Sequence, residues 1–107
     1  MGRYLFQGSY STDGIKGVLK EGGSARKAAI DAAVNAMGGH VEAYYFGFGD
    51  TDVYVIVDGI DNETAAALSM GIAATGAVHG VKTTVLLTPE DIDKAAKKTL
   101  SYRAPGR

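Results

Sequence analysis

The chain has no cysteine, only two histidines and no long hydrophobic run among its 107 residues. Without cysteine it cannot form a disulfide, a thiolate nucleophile, or a Cys-ligated zinc or iron–sulfur site. No apolar run approaches the ~18 residues of a membrane helix, and the first residues turn polar too soon for a signal peptide, so we predict a cytoplasmic protein. An excess of one charge is also missing, since 11 Lys and Arg against 12 Asp and Glu leave a net charge of −1. Nucleic acid and anionic membranes are therefore not expected partners.

Size and composition indicate one folded unit. Hydrophobic residues form 46% of the chain and charged residues 21%, which is close to globular averages and argues against disorder. Compact domains cluster near ~100 to 150 residues. We therefore predict a single domain over residues 1–107, with residues 98–107 as a tail and a thin hydrophobic core.

Local patterns predict four strands and three helical regions. Alternating or β-branched runs predict strands at 3–10 and 80–88, and a hairpin around GDTD within 40–58. Ser11, Thr12 and Asp13 supply capping oxygens for a first helix, whose apolar residues recur at helical spacing. Gly22 and Gly23 interrupt this helix, and Ser24 is expected to cap its restart. Gly38 and Gly39 then end it. Asp61 is expected to cap a second helix, and Thr88 and Pro89 a last one.

The resulting order, β-α-β-β-α-β with an appended helix, predicts a ferredoxin-like α+β fold. In this split βαβ arrangement the four-stranded antiparallel sheet has the order 4-1-3-2, and both main helices lie on one face. The other face of the sheet has no cover within one chain.

Strict alternation assigns each strand residue to one face of the sheet. We expect the helices to cover Leu5, Val41, Ala43, Tyr45, Val53, Val55, Val57, Val81 and Val85. The open face then carries Tyr4, Phe6, Glu42, Tyr44, Phe46, Tyr54, Ile56, Lys82, Thr84 and Leu86. That open face is too apolar to remain exposed to water, so we predict that it pairs with a second copy in a homodimer or larger homo-oligomer.

Glu42 decides the predicted phase of the second strand. Placing its carboxylate under the helices would bury a charge without a partner, at a cost of several kcal/mol. Tyr44 and Phe46 alternate with Ala43 and Tyr45 and share the parity of Glu42, so they too are expected on the open face, between protomers.

Three blocks in the right order resemble the GYD-domain family over nearly the whole chain: GSYSTDGIKG, GGHVEAYYFGFGDTDVYVIVD, and GAVHGVKTTVLLTPEDIDKAAKK with SYRAPG. The family is named for a Gly-Tyr-Asp triplet, from which this chain departs with Thr51 between Gly49 and Asp52. The resemblance implies membership in the dimeric α/β-barrel group, in which ferredoxin-like units stack sheet to sheet. Other branches of that group include cofactor-free monooxygenases, isomerases, haem enzymes and non-catalytic stress proteins. The resemblance implies no catalytic residue set.

Few residues could carry chemistry. His40 and Glu42 are weak candidates for an acid or base, against the alternative of ordinary surface residues. His40 and His79 fall at diagonal corners of the predicted sheet, too far apart to share a metal ion. The acids at 50, 52, 58 and 61 lack the ligand spacing of a calcium loop. We therefore predict no metal site, and no sequence motif indicates a cofactor.

The aromatic open face leaves two functions open. It predicts a homo-oligomeric binding or accessory protein, whose inter-sheet surface holds a small molecule or serves for packing only. The alternative is a cofactor-independent isomerase or monooxygenase acting on a small carbonyl or aromatic compound. The residues expected at this cleft or interface are Tyr4, Phe6, Tyr44, Phe46, Tyr54 and Lys82.

Overall fold

The computed structural model describes residues 1–107 and contains four strands and four helices. In chain order they are β1 (Gly2–Tyr10), α1 (Thr12–Glu21), α2 (Gly23–Ala36), β2 (His40–Phe46), β3 (Val53–Ile60), α3 (Asn62–Ala74), β4 (Val78–Leu86) and α4 (Pro89–Ala96). This is the predicted order, with β4 beginning two residues earlier than expected. None of the four helices is both long and apolar enough to cross a membrane.

Side-chain caps start three of the helices where the sequence predicts them. The Ser11 hydroxyl accepts the Gly14 N–H, and the Asp61 carboxylate accepts the Thr64 N–H. Thr88 forms a capping box, in which its hydroxyl accepts the Asp91 N–H at 3.1 Å and its own N–H donates to the Asp91 carboxylate at 3.0 Å. Hydrogen bonds from Thr64, first from its side chain and then from its N–H, lower the pKa of Asp61 because they favour the charged carboxylate. Hydrogen bonds from Thr88, first from its N–H and then from its side chain, lower the pKa of Asp91 for the same reason.

The break between α1 and α2 falls at Gly22, as predicted. Its φ of 88° lies in the left-handed region that glycine adopts without steric cost. Gly22 itself is the N-cap of α2, and no side chain caps that helix. The predicted cap at Ser24 is therefore wrong, because α2 begins at Gly23, two residues too early for Ser24 to be its N-cap.

The sheet is antiparallel and has the order β2-β3-β1-β4, which is the predicted order read in reverse. Strands β2 and β3 form the predicted hairpin. Because β2 and β4 are the two edges, His40 at the start of β2 and His79 near the start of β4 lie on opposite edges of the sheet, as predicted.

Helices α2 and α3 pack on one face of the sheet and form a small core. Only ten residues are buried. The hydrophobic ones are Tyr4, Phe6, Val34, Val53, Val55, Val57, Ile60, Ala65 and Leu68. Val53, Val55 and Val57 come from alternate positions of β3, so the predicted phase of that strand is confirmed.

The predicted phase of β1 is wrong. Tyr4 and Phe6 are buried on the helix side at 4% and 7% exposure, and Leu5 lies on the open face. The covering helices contribute small side chains such as Ala65, and bulky aromatic rings from the sheet fill the layer that remains. Tyr4 also donates a hydrogen bond to Asn62 at the start of α3, which satisfies its buried hydroxyl.

The predicted positions of Tyr44 and Phe46 are also wrong, and a β-bulge is the reason. The register between β2 and β3 shifts between Val41 and Ala43, so Glu42 is an extra residue opposite β3. Val41 and Tyr44 therefore pack on the same side, against the core, while Glu42 stays on the open face. Glu42 lies away from the helices, as predicted, but the side chains of β2 do not alternate strictly on either side of it.

The corrected open face has no cover within the chain. It carries Leu5, Gln7, Ala43, Tyr45, Tyr54, Ile56, Lys82, Thr84 and Leu86. Helix α4 buries none of its residues. The radius of gyration is 16.9 Å, against about 13 Å for a compact chain of this length. The single chain is thus elongated and thinly packed.

Candidate functional site

A cavity of about 360 Å³ lies between the helices and the covered face of the sheet. Eleven of its 19 lining residues are hydrophobic. They are Phe6, Tyr10, Val18, Ile30, Tyr44, Val53, Val55, Ile72, Ala77, Val78 and Val81. All four strands and helices α1 to α3 contribute to this wall, so the site exists only once the whole domain has folded.

Helix α1 roofs the cavity without filling it. Gly14 and Gly17 lie three residues apart on the helix face that lines the cavity. A Cβ at Gly17 would meet no atom within 4 Å. No residue of α1 is buried, and the missing side chain of Gly17 leaves space beneath the helix.

The polar groups of the cavity include two tyrosines and an ion pair. Tyr10 and Tyr44 line it, and Arg26 at the start of α2 is 3.3 Å from the Glu21 carboxylate at the end of α1. Phe46 contacts both tyrosines, stacking near Tyr10 with 6.4 Å between ring centroids and meeting Tyr44 edge-on at 5.3 Å. Phe46 thus positions the two phenol rings without lining the cavity.

Tyr44 is a neutral hydrogen-bond donor. Burial disfavours its phenolate, and the neighbouring Tyr10 hydroxyl adds to the effect, so the pKa of Tyr44 is raised well above its ordinary value. The phenol therefore keeps its proton across the physiological range.

A smaller cavity of about 70 Å³ continues the first one beneath α2 and α3. All eight residues that line it are hydrophobic. Phe6, Ile30 and Val55 line both cavities. The combined space therefore has one wholly apolar end and one end with hydroxyl and charged groups.

The structure divides the residues predicted for an inter-sheet cleft between the two faces of the sheet. Phe6 and Tyr44 line the internal cavity, and Tyr4 and Phe46 lie on the same helix side. Tyr54 and Lys82 lie on the open face, paired with Tyr45 and Gln7 of the neighbouring strands. These six residues do not form one cleft within the chain.

Glu42 and His40 lie outside the cavity. The Glu42 carboxylate is 2.6 Å from the Arg3 guanidinium, and Asp58 is 3.5 Å from the same side chain. Both carboxylates raise the pKa of Arg3, with Glu42 the larger cause. His40 stands opposite Asp58 in the strand register. Arg3, Glu42 and Asp58 form a charged cluster at one end of the open face, and His40 lies beside it.

Sequence reasoning missed Tyr10, Arg26 and the two glycines of α1 as cavity residues. Tyr10 has the same parity as Tyr4 and Phe6, so a correct phase for β1 would have placed it on the helix side. Gly14 and Gly17 stand at helical spacing within a predicted helix, which is a signal of missing side chains on one face. Nothing in the sequence pointed to Arg26.

No cluster of three or more His, Asp or Glu side chains is arranged to hold a metal ion. The Gly49–Asp52 segment, where the chain departs from the Gly-Tyr-Asp triplet, lies in the turn between β2 and β3 and does not line the cavity.

The fold and the cavity define a ferredoxin-like α+β domain with a mainly apolar cavity between its helices and its sheet. A family model described as the GYD domain matches residues 4–96. Since this match covers most of the chain, the protein belongs to the GYD domain family. Searches of curated proteins and of solved structures gave no match.

Proposed function

We propose that this protein binds a small, mainly apolar molecule in the cavity between its helices and its sheet, and that it works as a homo-oligomer. The observation that carries the proposal is the cavity itself. Its volume of about 360 Å³ falls in the range of roughly 300 to 1,000 Å³ that ligand sites occupy. An apolar wall with a few polar groups is also the usual composition of such sites.

The uncovered sheet face supports self-association. Its exposed aromatic side chains include Tyr45 at 69% and Tyr54 at 36% exposure, which lie opposite each other on β2 and β3, and Ile56 is the next residue of β3 on the same face. A chain with ten buried residues gains further stability when a second copy covers this face. The charged cluster of Arg3, Glu42 and Asp58 at the end of the face resembles the polar rim of a protein interface.

Binding in this proposal takes place inside each chain, and the open face serves association. The enzymatic alternative, an isomerase or monooxygenase, depended on Glu42 or His40 facing a bound molecule. Neither residue lines the cavity, so no observation favours that alternative over binding. The cytoplasmic location stays a prediction from the sequence.

A larger side chain placed in the cavity from helix α1 tests the proposal. Gly17→Leu places a side chain in the space beneath α1, where a Cβ meets no other atom. Naphthalene serves as the probe, and binding is followed by amide chemical-shift changes in NMR spectra. We expect naphthalene to shift amides of residues 6–10, 44 and 53–55 in the wild type and to shift none in Gly17→Leu.

Gly71→Leu is the matched control. Gly71 is an exposed glycine of α3 that lines neither cavity, and a Cβ there also meets no atom. Both substitutions replace a helical glycine and should stabilise their helix by about 0.5 to 1 kcal/mol. Undiminished binding by Gly17→Leu, or no binding by the wild type, would contradict the proposed site.

A further inference from the structure

The chemistry of the cavity wall indicates what kind of molecule it accepts. This inference rests on the proposed binding function and names the ligand class. Tyr10 and Tyr44 lie side by side against Phe46 and bring two phenol hydroxyls to one part of the wall. Each hydroxyl has a single proton to donate. If one hydroxyl donates to the other, the second proton is still free for a ligand.

The charged groups disfavour a charged ligand. Arg26 is the only cation of the lining, and Glu21 already engages it at 3.3 Å. Asp13 also lines the cavity and belongs to no ion pair within 4.0 Å. A carboxylate ligand would compete with Glu21 for Arg26 and would be repelled by both acids. An ammonium ligand would lose its hydration in a space walled mainly by hydrophobic side chains.

The inner end accepts only apolar surface. The smaller cavity beneath α2 and α3 exposes no polar side chain, since all eight of its lining residues are hydrophobic. A ligand that extends toward it must therefore present hydrocarbon or an aromatic ring there, and its polar atom toward the tyrosines.

We infer that the cavity selects an uncharged, mainly apolar compound with one carbonyl-type hydrogen-bond acceptor, which the hydroxyls of Tyr10 and Tyr44 recognise. The aromatic or aliphatic body lies against Val53 and Val55 and points toward the smaller cavity. The acceptor oxygen lies at the phenol pair.

Three probes of one ring system test this ligand class: naphthalene, 1-acetonaphthone and 1-naphthoate. Their dissociation constants are measured by NMR titration at pH 7. We expect 1-acetonaphthone to bind about tenfold more tightly than naphthalene, which is the effect of one hydrogen bond worth about 1.4 kcal/mol. We expect 1-naphthoate to bind more weakly than both.

Removing the donors completes the experiment. Tyr10→Phe combined with Tyr44→Phe keeps both rings and removes both hydroxyls, so naphthalene binding should be unchanged and the advantage of the ketone should disappear. Tyr45→Phe, a neighbouring exposed tyrosine on the open face, should leave the advantage intact.

The possible results separate this inference from the function on which it rests. Equal binding of naphthalene and the ketone, or an advantage that survives in the double variant, would overturn the ligand class and leave the binding function standing. Tightest binding by 1-naphthoate would overturn it in favour of an anion site at Arg26. Binding of none of the three probes would overturn both proposals.

Discussion

Gly14 of α1 approaches the main chain of Ala77 so closely that a Cβ at Gly14 would lie 2.1 Å from the Ala77 carbonyl oxygen. The same oxygen accepts a hydrogen bond from the Ser11 N–H at 2.9 Å. The segment before β4 thus holds the first turn of α1 through backbone contacts. Since α1 buries no residue, this contact is a main attachment of the cavity roof.

Gly14→Ala should therefore destabilise the protein. The added methyl group meets backbone, which cannot turn aside, so α1 must shift and weaken the Ser11 hydrogen bond. Overpacking of this kind costs typically about 1 to 3 kcal/mol, measured as the free energy of unfolding in urea. Gly17→Ala in the same helix is the control, and we expect it to be stabilising because its Cβ meets open space. Equal stability of the two variants would show that the close approach does not exist.

Ile56→Lys should dissociate the proposed dimer and leave each chain folded. Ile56 lies on the open face, where a lysine is solvated in the single chain and desolvated only when a second copy covers it. We expect the dimer dissociation constant to rise by at least about tenfold, the equivalent of about 1.4 kcal/mol, in sedimentation velocity experiments.

Leu19→Lys provides the comparison for that experiment. Leu19 is 80% exposed on α1 and is remote from the open face, so its replacement should not alter the sedimentation of the protein. A wild type that sediments as a single chain at micromolar concentration would refute self-association. An Ile56→Lys variant that still sediments as the wild-type dimer would show that the open face is not the dimer interface.

Thr88→Ala should fray the last helix without unfolding the domain. The substitution removes the hydroxyl that caps α4, at a cost of about 0.5 to 2 kcal/mol, and this helix contributes no buried residue to the core. Hydrogen exchange of the amides in residues 91–96 should accelerate, while the core amides of β3 exchange as before. Thr99→Ala, at an exposed position after the helix, should change neither. Unchanged exchange in Thr88→Ala would show that the capping box has no effect on helix stability.

Stability should fall at alkaline pH because of Tyr44. Its pKa is raised in the folded state, so the folded chain holds this proton more tightly than the unfolded chain. The contribution to stability is complete below the ordinary tyrosine pKa of about 10 and is lost as the pH rises above it. In an absorbance titration, Tyr44 should give a late ionisation step, well above the ordinary tyrosine pKa of about 10.

Phenylalanine variants identify the late tyrosine. Tyr44→Phe should remove the late step and weaken the alkaline loss of stability. Tyr45→Phe, at a position that is 69% exposed, should leave the late step unchanged. A late step that persists in Tyr44→Phe would mean that another tyrosine is the protected one.

The sequence by itself determined the order of the elements and the sheet topology. These features depend on local chemistry that is readable along the chain: the capping oxygens of Ser11, Asp61 and Thr88, the glycine break at Gly22, and the turn between two strand-like runs. The sequence also determined the phase of β3, because Val53, Val55 and Val57 alternate without interruption in a strand that lies inside the sheet.

Only the tertiary structure decided which face of β1 is covered and where the alternation of β2 reverses. Tyr4 and Leu5 are both acceptable core residues, and the choice between them depends on the small size of the helix side chains that lie above. The bulge at Glu42 arises from pairing with β3, and no local pattern encodes it. The cavity depends on both features, since correct phases bring Tyr10 and Tyr44 beneath a helix in which Gly17 leaves the space open. Packing between distant segments determines the covered face of β1, the bulge in β2 and the cavity. The pattern of a single strand contains no information about the layer that will cover it.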